Sequence, residues 1–343
     1  MLAEISQFCS LTIYDPKNPR ISSSTMWLLV LVLLGLLFVI RWYRQSQILE
    51  NLSDKYVFIT GCDTGFGNLL AKQLDKRGMK VLASCLTEKG AEKLKKETSS
   101  RLQTTILDIS DSKNVSSVAD WVSRIVGDRG LWGLVNNAAI PGSMAPLGWQ
   151  KKNDFVKVLE VNVLGMIDVT LTLLPQVRKA QGRIVNVSSI AGRLALIPGG
   201  YNISKYCVEV FSDTLRQELN DFGVKVSIVE PGAFNTSITI LPLIKKSIDD
   251  KWQMLPAETK RIYGEEYVNK FRQNMEQMVT TSSAKNYRVT NCIEHALTAC
   301  HPWTRYSAGW DAKLFYIPLS YFPTFIMDYL ASLKAPKPAQ RIK

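Results

Sequence analysis

Tyrosine and lysine stand four residues apart in the segment Tyr201-Asn-Ile-Ser-Lys205. On a helix this spacing puts both side chains on one face. A neighbouring ammonium lowers the pKa of a phenol from about 10 towards neutral pH. The phenolate can then take the proton of an alcohol as a general base. The spacing alone is weak evidence, because a chain with twelve tyrosines is expected to contain one such pair by chance.

Hydroxyls and amides follow two of the apolar runs that predict strands. Ser188 and Ser189 follow Arg183–Val187, and Asn136 and Asn137 follow the run 131–135. Polar side chains after parallel strands gather at the carboxyl edge of a sheet, where α/β proteins bind ligands. A serine there can hydrogen-bond the oxygen of an alcohol or a carbonyl. Taken singly, these residues are also common as turn formers and helix caps.

Three glycines, Gly61, Gly65 and Gly67, lie between a short apolar run and a helical pattern. Glycine permits a tight turn, close approach of the backbone to a phosphate, and close packing of the helix that follows. The N-terminus of that helix attracts anions. The spacing is G-x-x-x-G-x-G rather than G-x-G-x-x-G. It predicts a phosphate-binding turn, with an ordinary tight turn as the alternative.

The elements that must position these residues alternate between strands and helices. The predicted strands are Tyr56–Thr60, Lys80–Ser84, Thr104–Leu107, Leu131–Val135, Arg183–Val187 and Val224–Val229, and the predicted helices cover 66–77, 89–98, 112–126, 154–180 and 201–222. The strands are continuous apolar runs, as expected when both faces of a sheet are covered. The alternation predicts an α/β fold, a single-domain, doubly wound parallel sheet of the Rossmann type.

Composition narrows the class of protein. The 343 residues are 46% hydrophobic, enough for a full core, and carry a net charge of +12. The basic residues are interleaved with acids and accompany no zinc-finger or RNA-binding motif, so nucleic acid is not a predicted partner. A basic protein beside an anionic membrane fits better. Six scattered cysteines predict free thiols, and two histidines leave no His-rich site, so no metal is predicted.

A membrane anchor is predicted near the N-terminus. Residues 26–40 are all apolar, and with Ser24 and Thr25 they would form a helix of about 25 Å. Trp27 and Trp42 stand at its two ends, where amphipathic rings prefer the membrane interface. The alternatives are a cleaved signal peptide and a buried helix. A cleaved signal is disfavoured because no basic segment precedes the run and no small-residue cleavage site follows it.

The charge flanking this anchor predicts its orientation. Arg41 and Arg44 follow the apolar run, whereas residues 1–25 are about neutral. By the positive-inside rule the main domain faces the cytosol.

The chain divides into an N-terminal extension (1–25), the anchor (26–43), a catalytic domain (54–310) with a helical substrate-loop insertion at about 233–290, and a C-terminal apolar segment with a basic tail (311–343). The apolar stretch 314–329 contains Pro318, Pro323 and Asp328, which argue against a spanning helix. We expect a surface-seated or substrate-lining segment.

The order of these motifs resembles the short-chain dehydrogenase/reductase family. A glycine loop follows the first strand, an aspartate the third, Asn-Asn-Ala the fourth and a serine the fifth. Tyr-x-x-x-Lys stands on the next helix, and Pro-Gly-x-x-x-Thr follows the sixth strand. The resemblance covers about 54–310.

The resemblance implies a role for each matching residue. As catalytic residues it implies Tyr201 as acid/base, Lys205, which lowers the pKa of that tyrosine, Ser189, which orients the substrate oxygen, and Asn162, which anchors a water of the proton relay. Ser189 is preferred to Ser188 because the family serine precedes x-x-Gly. As cofactor-binding residues it implies Gly61, Asp63, Thr64, Gly65, Phe66, Gly67, Asp108, Asn137, Ala138, Tyr201, Lys205, Pro231, Gly232 and Thr236.

The cofactor implied by the resemblance is NAD, with NADP as the alternative. An acid that ends the second strand would favour NAD by binding the ribose 2′-hydroxyl. Glu88 comes slightly late for this role, and Lys89 is a candidate partner for a 2′-phosphate. One departure from the family pattern is Ala139, where the family has glycine. Its methyl group is expected beside the cofactor.

Longer segments are similar to the microsomal retinol dehydrogenase and 3α/17β-hydroxysteroid dehydrogenase branch, namely an anchor that ends in RWYR, DKYVFITGCDTGFGNLLAKQLD, GDRGLWGLVNN and HPWTRYSAGWDAK. This implies a lipophilic alcohol or carbonyl substrate, retinol or a hydroxysteroid, met at the endoplasmic reticulum membrane. Membrane lipid and a second copy of the chain are the other expected partners. The alternatives are a catalytically weak retinoid- or steroid-binding protein and a reductase of other lipid carbonyls.

Overall fold

The computed structural model describes residues 23–236 and 239–341. Most of the expected N-terminal extension, with Cys9, and two residues of the expected insertion lie outside this part. The chain divides into two compact units, with the division between Ile48 and Leu49.

The first unit contains one long helix, α1, which spans Ser23–Ser46. Its apolar side chains from Met26 to Ile40 are exposed. A helix buried in a protein core, one alternative for this segment, is therefore wrong. An exposed apolar helix of this length fits a membrane anchor.

The second unit is built on a seven-stranded sheet in which every pairing is parallel. The strands are β1 Tyr56–Ile59, β2 Lys80–Cys85, β3 Leu102–Ile106, β4 Gly133–Asn136, β5 Arg183–Val187, β6 Lys225–Pro231 and β7 Arg305–Ala308. Their order across the sheet is β3-β2-β1-β4-β5-β6-β7. The connection therefore reverses direction between β1 and β4, and a crevice opens there at the carboxyl ends of the strands.

Helices cover both faces of this sheet. They are α2 Gly65–Lys76, α3 Glu88–Lys96, α4 Ser112–Val126, α5 Lys152–Leu159, α6 Met166–Lys179, α7 Gly200–Glu218, α8 Leu241–Gln253, α9 Ala257–Tyr263, α10 Glu265–Thr280, α11 Tyr287–Thr298, α12 Ile317–Leu319 and α13 Thr324–Lys334. Apolar residues of α2, α3 and α11 fill one core. Those of α4, α6 and α7 fill the other. The predicted doubly wound parallel sheet is confirmed.

Most element boundaries differ from the sequence prediction by one to four residues. The predicted helix 154–180 starts at Lys152 and is interrupted by a π-helical turn at Glu160–Gly165. Strand β3 begins at Leu102, two residues earlier than predicted. Strand β7 was not predicted, because Arg305-Tyr-Ser-Ala is short, half polar and lies at the edge of the sheet.

The stretch predicted as an insertion, 233–290, is largely helical where the structure describes it, and its role as a substrate loop stays a prediction. Helices α8 and α10 pack their apolar residues, among them Ile248, Trp252 and Phe271, against Met144 and Trp149 of the segment after β4. Trp149 lies 5.3 Å, between ring centroids, from Trp252 and from Tyr263. This aromatic cluster fixes the insertion beside the carboxyl edge of the sheet.

Among the described residues, two helical stretches are long and apolar enough to cross a membrane, namely Ser24–Ser46 and Lys152–Lys179. Half of the second is buried, and it packs through Val169, Leu173 and Val177 into the core beneath the sheet. It is therefore a core helix of the α/β unit.

Candidate active site

The predicted catalytic side chains meet at the carboxyl end of β5. Ser189 follows this strand, while Tyr201 and Lys205 lie on the first turns of α7. All three are buried. The Ser189 hydroxyl accepts a hydrogen bond of 3.1 Å from the Ala191 N–H, and it lowers the pKa of the Tyr201 phenol. The ammonium Nζ of Lys205 lies 5.6 Å from the centroid of the Tyr201 ring. The structure thus brings together the three residues that the sequence pattern selected.

The backbone of β5 holds Lys205 in place. Its Nζ donates a hydrogen bond of 2.8 Å to the carbonyl of Val187. An ammonium has three N–H bonds, so two further donors are available to a ligand in this site. The neighbouring Ser188 donates instead to the Lys205 carbonyl, at 3.3 Å, and is buried beneath α7. This geometry supports Ser189 rather than Ser188 as the serine of the site.

Burial shifts the pKa of both titrating groups. It lowers the pKa of Lys205 to about 8, and the carboxylate of Glu209 opposes this shift. Burial raises the pKa of Tyr201 to about 12, with partial relief from the Ser189 hydroxyl. Desolvation of the phenolate is the larger of these two effects on the Tyr201 pKa. The lowering of that pKa by Lys205 stays a prediction.

Asn162 lies in the π-helical turn and joins three parts of the site. Its side chain accepts a hydrogen bond from the Ile140 N–H at 2.8 Å and donates to the Ile140 carbonyl at 2.9 Å. It also donates to the Ser204 hydroxyl at 3.0 Å, and Ser204 in turn donates to the Tyr201 carbonyl at 2.7 Å. Asn162 thus ties the segment after β4 to the catalytic helix. Its part in a proton relay stays a prediction.

The glycine turn forms a close-packed cradle between β1 and α2. Gly61 has φ +72° and Gly65 has φ +65°, backbone conformations that favour glycine. A Cβ atom on Gly61 would lie 2.8 Å from the Cα of Ala138. A Cβ on Gly67 would lie 2.6 Å from Nδ2 of Asn137. The turn therefore packs directly against Asn137 and Ala138 after β4, and only glycine fits at positions 61 and 67 without a shift of these neighbours.

Asn137 and Asp63 act on this turn through the backbone. Nδ2 of Asn137 donates to the carbonyls of Thr60 (2.9 Å) and Gly61 (3.1 Å). The carboxylate of Asp63 accepts from the N–H groups of Leu86 (2.7 Å) and Thr87 (3.0 Å), just beyond β2. Both residues hold the cradle in shape, and Asp63 also places a carboxylate at the end of β2.

The other predicted cofactor residues border the same crevice. Phe66 packs edge-on against Phe234, with ring centroids 5.8 Å apart. A Cβ on Gly65 would lie 3.9 Å from Cβ of Thr236. The glycine turn and the segment after β6 therefore face each other. Thr64 caps α2 in an extended conformation, without a side-chain capping bond.

Three further predicted residues lie at the ends of their strands. Pro231 ends β6, and Gly232 donates its N–H to the Ala308 carbonyl at 2.8 Å. Asp108 is exposed after β3, and its carboxylate accepts from the Ser110 N–H at 2.9 Å. All three residues therefore lie at the carboxyl edge of the sheet.

The residues present fit a nicotinamide dinucleotide. The glycine turn packs tightly against Asn137 and Ala138, and the N-terminus of α2 that follows it can bind a pyrophosphate. Two remaining donors of Lys205 suit ribose hydroxyls, and the crevice at the reversal of strand order suits an extended ligand. The residues that would hold the cofactor follow β1, β4, β5 and β6, and these strands end at the same edge of the sheet.

Glu209 is a residue of this site that the sequence pattern did not single out. It is buried one helical turn after Lys205 and forms an ion pair with Arg305 of β7. Arg305 also pairs with Asp213 at 2.5 Å and with Glu230 at 3.4 Å. The spacing of four residues between Lys205 and Glu209 could have indicated that the two side chains share a helix face. The pairing of Glu209 with Arg305 on β7 could be seen only in the tertiary structure.

Comparison with known proteins agrees with this geometry. The family model described as short chain dehydrogenase matches residues 55–241. Retinol dehydrogenase 16 of Homo sapiens is 55% identical over 317 residues, which cover 92% of this chain and 100% of the relative. The 17-beta-hydroxysteroid dehydrogenase type 6 of Homo sapiens is 52% identical over the same shares of both chains.

Solved structures show the same fold. A short-chain dehydrogenase from Streptomyces avermitilis superposes with a TM-score of 0.63 at 25% identity, covering 81% of this chain and 94% of that one. A 3-ketoacyl-(acyl-carrier-protein) reductase from Brucella melitensis, complexed with NADH, gives 0.51 at 28% identity, covering 54% and 77%.

The family match over more than half of the chain, with the assembled Ser189, Tyr201 and Lys205, shows that this chain belongs to the short-chain dehydrogenase family.

Proposed function

We propose that this protein is an NAD(P)-dependent dehydrogenase that interconverts a lipophilic alcohol, retinol or a 3α/17β-hydroxysteroid, and its carbonyl. The observation that carries the proposal is the convergence of Ser189, Tyr201 and Lys205 beside the glycine cradle. The substrate class comes from the relatives, which are retinol and 17-beta-hydroxysteroid dehydrogenases.

Each of the three side chains has a task in this reaction. Ser189 donates a hydrogen bond to the substrate oxygen, and Tyr201 takes the alcohol proton in oxidation or returns it in reduction. Lys205 stabilises negative charge on the phenol oxygen and holds ribose hydroxyls. The nicotinamide supplies the hydride acceptor or donor when it is bound. General acid–base catalysis by a positioned group contributes roughly 10²- to 10⁴-fold in rate.

NAD is the cofactor we propose, with NADP as the alternative. The glycine cradle, Thr236 and Lys205 would hold its pyrophosphate, carboxamide and nicotinamide ribose. The Asp63 carboxylate beside the end of β2 supports NAD, because a carboxylate repels a 2′-phosphate and accepts from a 2′-hydroxyl. Glu88, the acid considered from sequence, is exposed at the start of α3.

The domain organisation follows from the same placement. We assign 54–310 to catalysis and the helices of the 233–290 insertion to the substrate side. Their apolar and aromatic packing against Met144 and Trp149 supports a lipophilic substrate.

The location we propose is the endoplasmic reticulum membrane, with α1 as a single anchor and the catalytic domain in the cytosol. Arg41 and Arg44 at the C-terminal end of α1 support this orientation. Protease added to sealed microsomes should digest the catalytic domain. Protection of that domain would reverse the orientation.

A substrate panel tests the proposed function. Microsomes that contain the protein are supplied with retinol, 3α- and 17β-hydroxysteroids and a fatty alcohol, and NADH and NADPH formation are followed separately. We expect NADH formation with retinol or a hydroxysteroid, above a blank of microsomes without the protein. Ligand binding without turnover would identify a binding protein instead, and turnover of only other lipid carbonyls would support a different reductase.

A further inference from the structure

The C-terminal segment carries a dense set of exposed apolar side chains. Eight of them are more than half exposed, namely Trp310, Leu314, Phe315, Tyr321, Phe322, Phe325, Tyr329 and Leu333. Soluble monomers rarely leave a large contiguous apolar surface uncovered. We call residues 310–334 the C-terminal apolar segment.

Helix α13 presents one apolar face to the outside. Phe325, Tyr329 and Leu333 recur every four residues, a spacing that aligns them along one side of the helix. They are 70%, 64% and 62% exposed. Ile326 and Met327 point elsewhere on the helix and are half-buried. No residue of α13 is buried, and its partly covered side chains are those of Ile326 and Met327.

Specific contacts hold this segment against the catalytic unit. The Lys334 carbonyl accepts a hydrogen bond of 2.8 Å from Nδ2 of Asn274 on α10. The Arg193 guanidinium lies 5.1 Å from the Tyr321 ring centroid and pairs with the buried Glu230 at 3.1 Å. Arg193 ends the short turn that Ser189 begins, so the segment contacts the stretch of chain that directly follows the catalytic serine.

The features around this face indicate what covers it. Helix α1 ends at Ser46 and the catalytic unit begins at Leu49, so an anchored α1 keeps this unit at a bilayer surface. The residues after the apolar face include Lys334, Lys337 and Arg341 and no acid up to the end of the chain. Cationic side chains beside an apolar helical face are the pattern of helices that lie in the interface of an anionic bilayer.

The exposed aromatic side chains also favour contact with a bilayer interface. Trp310, Tyr321 and Tyr329 each combine an apolar body with a polar edge, and such side chains favour the level of the lipid headgroups. Pro318 and Pro323 divide the segment, so its longest helix, α13, has 11 residues. That length is too short to span a bilayer and suits a helix that lies in its surface.

We propose that the C-terminal apolar segment is a second membrane contact, a monotopic surface that rests in the interface of an anionic phospholipid bilayer. Phe325, Tyr329 and Leu333 enter the boundary between headgroups and acyl chains, while Lys334, Lys337 and Arg341 face anionic headgroups. If the proposed function holds, a lipid-dissolved substrate reaches the site from this side past Arg193.

Fluorescent labelling of the full chain tests the contact. Phe325→Cys and, separately, Tyr329→Cys are labelled with the environment-sensitive dye NBD and reconstituted into vesicles of phosphatidylcholine and phosphatidylserine. Glu92→Cys, on the exposed face of α3, is the matched control. The wild-type chain taken through the same labelling gives the background from its own cysteines.

We expect dyes at 325 and 329 to be quenched by doxyl-labelled lipid and protected from aqueous iodide about threefold or more relative to position 92. Iodide quenching equal to that at 92 would overturn the proposal. Protection from both iodide and doxyl lipid would also overturn it, since protein rather than lipid would then cover the face. The readout needs no turnover, so its failure is distinct from a failure of the proposed oxidoreductase function.

Discussion

Substitution of Gly67 by alanine tests whether the glycine cradle binds the cofactor. Gly67 lies in the first turn of α2, where alanine would otherwise favour the helix by about 1 kcal/mol. Its new Cβ would lie 2.6 Å from Nδ2 of Asn137, and closer still to the Gly61 carbonyl oxygen. Ordinary contact begins at 3.4 Å, so the Asn137 contact alone requires a shift of 3.4 − 2.6 = 0.8 Å.

This shift must occur in the turn that we propose binds the pyrophosphate. Overpacking of this kind costs about 1–3 kcal/mol. If about 1.4 kcal/mol of that cost falls on the cofactor-bound form, the affinity for NAD weakens about tenfold. Titration of NAD against the purified full chain, followed by tryptophan fluorescence, measures the dissociation constant.

Lys76→Ala at the exposed end of the same helix is the control, and we expect it to bind NAD as the wild type does. Thermal unfolding of both variants shows whether Gly67→Ala remains folded. A folded Gly67→Ala protein that binds NAD within twofold of wild type would refute a phosphate-binding role for the cradle and leave it as an ordinary turn.

Three further predictions concern the same crevice. Ala139→Gly should tighten NAD about fivefold, or about 1 kcal/mol, if its methyl crowds the cofactor; equal dissociation constants would show that the methyl is harmless. Because burial lowers the pKa of Lys205 to about 8, its charge is lost as the pH rises through 8, and NAD affinity should fall over that range; a flat profile between pH 6.5 and 9 would contradict this. Glu209→Gln removes the carboxylate that favours the Lys205 ammonium, so NAD affinity should begin to fall at lower pH, while Arg305 keeps its other acidic partners. An unchanged midpoint of this pH profile would show that Glu209 does not affect the pKa of Lys205.

The fold was predictable because most of its strands and helices have clear patterns of apolar residues in the local sequence. Arg183–Val187 and the helix Ser112–Val126 have the predicted bounds, since one is a continuous apolar run and the other has a regular apolar face. Strand β7 was not predictable, because a short polar edge strand depends on its pairing with β6 rather than on its own residues. The π-helical turn at Glu160–Gly165 likewise has no local signal.

The site was predictable as a set of residues but not as a set of contacts. The motif order placed Ser189, Tyr201 and Lys205 at one edge because parallel strands end together. The sequence pattern could not show that Asp63 holds the backbone beyond β2, because that bond joins residues far apart in the chain. The raised pKa of Tyr201 also depends on burial, which the local pattern does not reveal.

The central claim is that Tyr201 transfers the proton between the alcohol and the protein. Tyr201→Phe keeps the buried ring and removes the hydroxyl that would carry the proton. Tyr206→Phe, on an exposed face of the same helix, is the matched control. The measurement is the rate of alcohol oxidation by both variants in microsomes, with NAD binding measured alongside. We predict that Tyr201→Phe lowers the rate about 10²- to 10⁴-fold with NAD binding retained, while Tyr206→Phe leaves it unchanged. A Tyr201→Phe enzyme within threefold of the wild-type rate would contradict the account.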